Sequence, residues 1–239
     1  MVVTDLAAQA PAARSPQHHI PPELLLDYAG GSLDESWSLV VACHLTLCAH
    51  CRRELAAIEL VGGSMLDDIP PQPMRSGGFA AVAGRLGKQD DAGRSTAPAG
   101  RPSRQSGPRG AIPIPLLDYL NTSVDRIAWR WSGAGLHSFA LPVPKARGGM
   151  VSLLKIAPGT GMPLHTHRGE EMTLVLSGGF TDENGVFERG DVEVADGSIE
   201  HRPIAMPGEP CICLAVTDAP LRFRGPFGWV LNQWARLSS

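Results

Sequence analysis

Gly159-Thr-Gly-Met-Pro-Leu-His165-Thr-His167-Arg-Gly-Glu-Glu171-Met-Thr-Leu-Val-Leu-Ser-Gly178 decides the reading of this 239-residue chain. Its fixed positions follow the spacing G-x5-H-x-H-x3-E-x6-G. Two histidines two apart on an extended segment project to the same side. Glu171 opens a strand-like apolar run and can reach the same point. Glu170 beside it competes for that role, and the spacing and strand parity favour Glu171. His201 is the only later histidine and completes a set of three imidazoles and one carboxylate. Such a set leaves open positions on an octahedral ion and suits Zn, Mn, Fe or Ni.

Outward from that stretch the texture is of short strands. Ser138-Phe-Ala-Leu, Met150-Val-Ser-Leu-Leu-Lys-Ile, Met172-Thr-Leu-Val-Leu, Asp191-Val-Glu-Val, Cys211-Ile-Cys-Leu-Ala-Val and Leu221-Arg-Phe-Arg are separated by Gly, Pro, Asn and Asp turns. Asp182-Glu-Asn-Gly marks a hairpin, because Asn-Gly supplies positive φ. Strands so spaced argue for an all-β sandwich or barrel. The histidine-rich stretch is similar to the first cupin motif, and that resemblance implies a C-terminal cupin barrel. The second cupin motif is degenerate: Asp196 and Ser198 stand where Pro and Gly are usual, and Ala205 where Asn is common. Cys211 and Cys213 share a strand face; they read as core packing or as a thiol pair that oxidises near the metal.

Upstream, the periodicity is helical. Pro22-Glu23 opens a short helix with Leu24, Leu25 and Tyr28, stopping at Gly30-Gly31. Asp34 caps a second, with Trp37, Val40, Val41, His44 and Leu45 on one side. A third starts near Cys48-Ala49, carries Leu55, Ile58, Leu60 and Val61, and is expected to end at Gly62-Gly63. Ser76 to Leu86 predicts a fourth, with Phe79, Val82, Ala83 and Leu86 at i, i+3, i+4, i+7. That stripe either binds a partner or packs back on its own three helices.

Within these helices lies His44-Leu-Thr-Leu-Cys48-Ala-His-Cys51, an H-x3-C-x2-C pattern. The histidine and first cysteine share a helix face, and the second cysteine completes it at a helix junction. Tetrahedral zinc needs a fourth donor, and His18-His19 are the nearest supply. His50, between the cysteines, points elsewhere. A helical unit of about seventy residues has a thin core, so a zinc staple is physically sensible.

Composition separates the two halves. Gly87 to Gly110 holds no apolar residue larger than Ala or Pro and reads as a flexible linker spanning about 25–30 Å, long enough for its flanking units to move independently. The expected organisation is multidomain α plus β: an extension over 1–17, a zinc-stapled bundle of three to four helices over 18–86, the linker over 87–110 and the barrel over 111–239. A net charge of −3 gives no pull toward nucleic acid or anionic lipid, and 43% hydrophobic residues exclude wholesale disorder. No run has the roughly 18 apolar residues of a membrane span, and the N-terminus does not read as a secretory signal, so a cytoplasmic location is expected.

A three-helix H-x3-C-x2-C clamp with an upstream histidine, followed by a linker and a cupin, resembles the ChrR-type zinc anti-sigma factors. Val61-Gly-Gly-Ser, Leu174-Val-Leu and Thr217-Asp-Ala-Pro-Leu-Arg-Phe are also similar. The resemblance implies His19 as the fourth zinc ligand with His44, Cys48 and Cys51, and His165, His167, Glu171 and His201 as a second metal site. It implies a non-enzymatic protein whose helical domain binds an extracytoplasmic-function sigma factor, one to one, and releases it under singlet-oxygen or organic-peroxide stress sensed by the cupin. A metal-dependent cupin enzyme, a dioxygenase or isomerase with a regulatory zinc domain, is the alternative reading.

Overall fold

The computed structural model describes residues 14–86, 112–120, 126–133, 135–143, 150–219 and 222–223. The expected linker, the first 13 residues and the ends of the Leu221–Arg224 strand lie outside them. Tertiary contacts divide the chain into two compact units, Met1–Ile58 with Ile112–Ser239, and Glu59–Ala111.

In the first unit, α1 spans Pro22–Ala29 and α2 spans Glu35–Leu47. The Asp34 side chain accepts the backbone N–H of Trp37 at 3.1 Å, satisfying an N-terminal amide that has no partner within the helix. Beyond the expected stripe, Ser36, Leu39 and Cys43 of α2 are also buried. A helix apolar nearly all round must be covered on several sides. Here the covering is the barrel: α2 packs on β5 (Glu171–Ser177), β11 (Cys211–Thr217) and the single turn α5 (Ile114–Leu117). One apolar core runs from Ile20, Leu25, Val40 and Val41 through Leu116 to Val151, Leu174, Leu214 and Val216. Burial of that area, not a tether, sets the first two helices against the strands.

Among the described residues the barrel has three antiparallel sheets. The largest has six strands in the order β1-β2-β3-β11-β5-β8, with β1 Arg130–Gly133, β2 Leu136–Ala140, β3 Met150–Ile156 and β8 Val192–Ala195. A second pairs β10 (Ile204–Ala205) with β6 (Gly179–Asp182) and β7 (Gly185–Glu188). The third pairs β12 (Arg222–Phe223) with β4 (His165–Thr166) and β9 (Glu200–His201). The predicted hairpin joins β6 to β7: Asp182 pairs with Gly185, whose φ is +152°, and the Asp182 carboxylate accepts the Asn184 N–H at 2.8 Å. The short strands β4, β9 and β10 escape a sequence reading because two residues carry no alternation.

In α3, Ala49–Asp67, the helix runs through Gly62-Gly63 instead of stopping there. Neither glycine has a positive φ, the feature that makes glycine a helix terminator. Within the second unit, Leu60, Val61, Met65 and Leu66 of α3 are exposed. So are Phe79 (75%), Val82 (58%) and Leu86 (67%) of α4, Gly78–Leu86.

Candidate metal centres

Among the described residues three groups of donors converge inside the first unit, two of which share His201: His165 and His167 meet its Nε2, Asp182 and Glu193 its Nδ1. The junction of α2 and α3 brings His19, His44, Cys48 and Cys51 together, with one donor atom from each lying within 4.8 Å of the others. Cys48 is the non-helical residue between the two helices, and its Sγ accepts the Cys51 N–H at 3.4 Å. His44 Nε2 stands 3.2 Å from Cys51 Sγ, and His19 Nδ1 3.3 Å from Cys48 Sγ. Of His18 and His19 it is His19 that the structure brings to the group, while the His18 ring lies against Phe187, centroids 4.3 Å apart. His50 stacks beside His19 at 4.3 Å but supplies no donor to the group.

Chemistry agrees with geometry. Burial lowers the pKa of His44 to about 4, so the ring is neutral and offers its Nε2 lone pair. Burial, with Cys48 adjacent, pushes the Cys51 thiol up to about 11, a cost that a cation between the two sulfurs would remove. Two imidazoles and two thiols fit tetrahedral zinc.

The second group sits in the barrel. His165 on β4, His167 just after it and His201 on β9 aim their Nε2 atoms at one point, with His165 and His167 each 3.2 Å from His201. The antiparallel register places His165 directly opposite His201. All three are buried. Burial lowers His165 and His167 to about 4. Burial also opposes charge on His201, but Glu193 Oε1 at 3.1 Å and Asp182 Oδ2 at 2.9 Å from its Nδ1 prevail and raise it to about 9. Three ring nitrogens can converge on one point only with a proton or a metal between them, and three imidazoles fit a divalent ion.

Glu171 is placed differently from the other three. Its Oε2 is 3.1 Å from Nδ1 of His167, the ring nitrogen on the far side from the converging Nε2 atoms. It is not among the donors that cluster within 4.8 Å. Burial raises its carboxyl to about 7.

Asp182 and Glu193 were not legible as site residues. The hairpin motif accounts for Asp182, and only the Asp191-Val-Glu-Val alternation, with two acids on one strand face, hinted at Glu193. Such buried acids orient a histidine and raise its basicity toward a metal. Cys211 and Cys213 are buried with sulfurs 3.4 Å apart, among Val175, Phe180 and Phe187.

A helical two-histidine, two-cysteine clamp packed on a cupin barrel that holds a three-imidazole cluster defines the class: a protein with two candidate metal centres, one thiolate and one not. Residues 119–220 match the ChrR cupin-like domain. The chain is 44% identical over 209 residues to the anti-sigma-E factor ChrR of Cereibacter sphaeroides, covering 87% of this chain and 92% of that protein. It matches the crystal structure of Rhodobacter sphaeroides SigE in complex with the anti-sigma ChrR with a TM-score of 0.70 and 39% identity, over 85% of this chain and 99% of that one. An RmlC-like cupin protein of Ralstonia eutropha JMP134 matches 47% of this chain and 78% of its own at 20% identity, TM-score 0.39. The chain belongs to the ChrR family.

Proposed function

We propose that this chain is a cytoplasmic anti-sigma factor that binds an extracytoplasmic-function sigma factor, one to one. The observation that carries the reading is the match, over both halves, to ChrR as it occurs bound to SigE. The relative is named as a regulator rather than an enzyme, which sets the dioxygenase or isomerase reading aside. No helix among the described residues is long and apolar enough to cross a membrane. The exposed apolar residues of α3 and α4 supply a docking face of the kind that an amphipathic helix offers a groove.

His19, His44, Cys48 and Cys51 would hold a structural zinc that fixes the α2–α3 junction. His165, His167 and His201 would hold zinc, manganese, iron or nickel in the barrel, with Glu171 against the ring of His167. This second centre is the sensor in our reading, with singlet oxygen or organic peroxide as the signal. Cys211 and Cys213 are the candidate redox pair in this reading, and the contact with Cys211, together with burial, holds the Cys213 thiol protonated.

Co-purification of the tagged full chain with its sigma factor tests the binding claim. Wild type should yield one sigma factor and one thiolate-bound zinc per chain. Cys48→Ser should lose both together, and a Cys48→Ser chain that holds its partner normally would sink the zinc mechanism.

A further inference from the structure

The turn between β7 and β8 belongs to the barrel, yet it supports the helical clamp. The carbonyl of Gly190 accepts a hydrogen bond from Nδ1 of His44 at 2.8 Å. That bond fixes the tautomer and aims the Nε2 lone pair of His44 at the clamp. The neighbouring Asp191 is 2% exposed. Its Oδ1 accepts the backbone N–H of His18 at 2.9 Å and also that of Gln17, while Oδ2 accepts the N–H of Glu188 at 2.9 Å. The Val192 N–H donates to the carbonyl of His18 at 3.2 Å, so residues 17–18 lie along the start of β8. His19, the next residue, is thereby delivered to Cys48. Gly190 has φ +93°, and a Cβ there would stand 2.7 Å from Cγ of Pro16, so glycine alone permits this close approach.

The two cysteines of the clamp come from the α2–α3 junction, but both histidines take their orientation from this single turn. We propose that the Gly190 carbonyl and the Asp191 carboxylate are positioning groups of the N-terminal metal clamp, so that the barrel sets how tightly the helices hold their ion. The inference rests on the zinc reading of His19, His44, Cys48 and Cys51. It also ties the two centres physically. Glu193 on β8, two residues after Asp191, contacts Nδ1 of His201, so the β7–β8 turn and the strand it leads into together support both histidines of the clamp and one of the barrel cluster. Outer partners of this kind are typically worth about 10–100-fold in metal affinity.

Cobalt titration of the full-length chain against a competing chelator separates the centres, because only the N-terminal clamp places thiolates on the ion and gives a sulfur-to-cobalt charge-transfer band. Asp191→Ala should weaken that site about 10–100-fold and alter the ligand-field bands of the bound cobalt. Asp191→Asn, which keeps an oxygen for the Gln17 and His18 amides, should restore most of the affinity. Wild-type affinity and ligand-field bands in a folded Asp191→Ala chain would overturn the proposal while leaving the zinc reading intact. Should Asp191→Ala fail to fold, Gln17→Pro removes one N–H donor without touching the barrel. A several-fold loss is then expected, and wild-type affinity would overturn the proposal. A wild-type chain with no thiolate band would overturn both the proposal and the reading beneath it.

Discussion

The Tyr119 hydroxyl, two residues beyond α5, donates to Glu35 Oε1 at the start of α2, 2.8 Å away. That hydrogen bond, helped by burial, raises the phenol to about 12. The sign follows from which form is held: the neutral phenol donates and the phenolate cannot. The contribution is therefore complete below about pH 10, the unfolded value, and is lost as pH rises through about 12. With only two tyrosines in the chain, tyrosinate absorbance reads this contact almost alone. Glu35→Ala, which removes the acceptor, should bring one of the two titrations back toward about 10; an unchanged curve would mean that α2 does not meet Tyr119 in solution. At this scale the residues that the structure brings together were legible where they are local: His44, Cys48 and Cys51 in H-x3-C-x2-C, and His165 and His167 in H-x-H, while His19 and His201 join them from a distance. Asp182, Glu193 and Asp191 were not, because a supporting acid needs only to arrive in space. Glu193 reaches His201 by neighbouring it in the barrel, and no sequence spacing encodes that.

Among the elements, α3 and α4 carry the partner argument. The i, i+3, i+4, i+7 stripe predicted α4, and the helix forms within that span, from Gly78 to Leu86. Periodicity reveals a face but not what covers it, so the choice between a partner and the chain's own helices stayed open in the sequence. With Phe79, Val82 and Leu86 all more than half exposed, the stripe is free to be covered by another protein. α3 adds to it because Gly62-Gly63, read as a stop, continues the helix to Asp67 and brings Met65 and Leu66 into the apolar set. Replacing Phe79 and Val82 together by glutamate should weaken sigma-factor binding at least about 30-fold, a loss of about 2 kcal/mol as for an interface hot spot. Metal content should not change, since neither residue touches a donor. Isothermal titration of the two purified proteins decides it, and unaltered affinity would remove α4 from the interface.

Across the whole molecule, the sequence pattern divides helices from strands except for the single turn α5 inside the expected barrel stretch, and the barrel follows from its histidine motif and its alternating runs. What composition concealed is the shared core. A loop rich in glycine and arginine suggests independent halves, yet α1 and α2 bury Leu25, Val40 and Val41 in the same core as Leu174 and Leu214. The signal was in α2, whose apolar residues occupy more of its circumference than a three-helix unit can cover. Both centres are therefore carried by one packed unit and not by two halves joined only through a slack tether. His165→Ala removes one of three converging imidazoles and leaves the clamp donors, α3 and α4 untouched. The variant should lose one equivalent of metal, the one not bound to sulfur, and bind its sigma factor with wild-type affinity. Exposed to singlet oxygen or an organic peroxide, the wild-type complex should dissociate and the His165→Ala complex should persist. Release at the wild-type rate from a complex lacking the barrel metal would place the sensor elsewhere, with the Cys211–Cys213 pair next to be replaced.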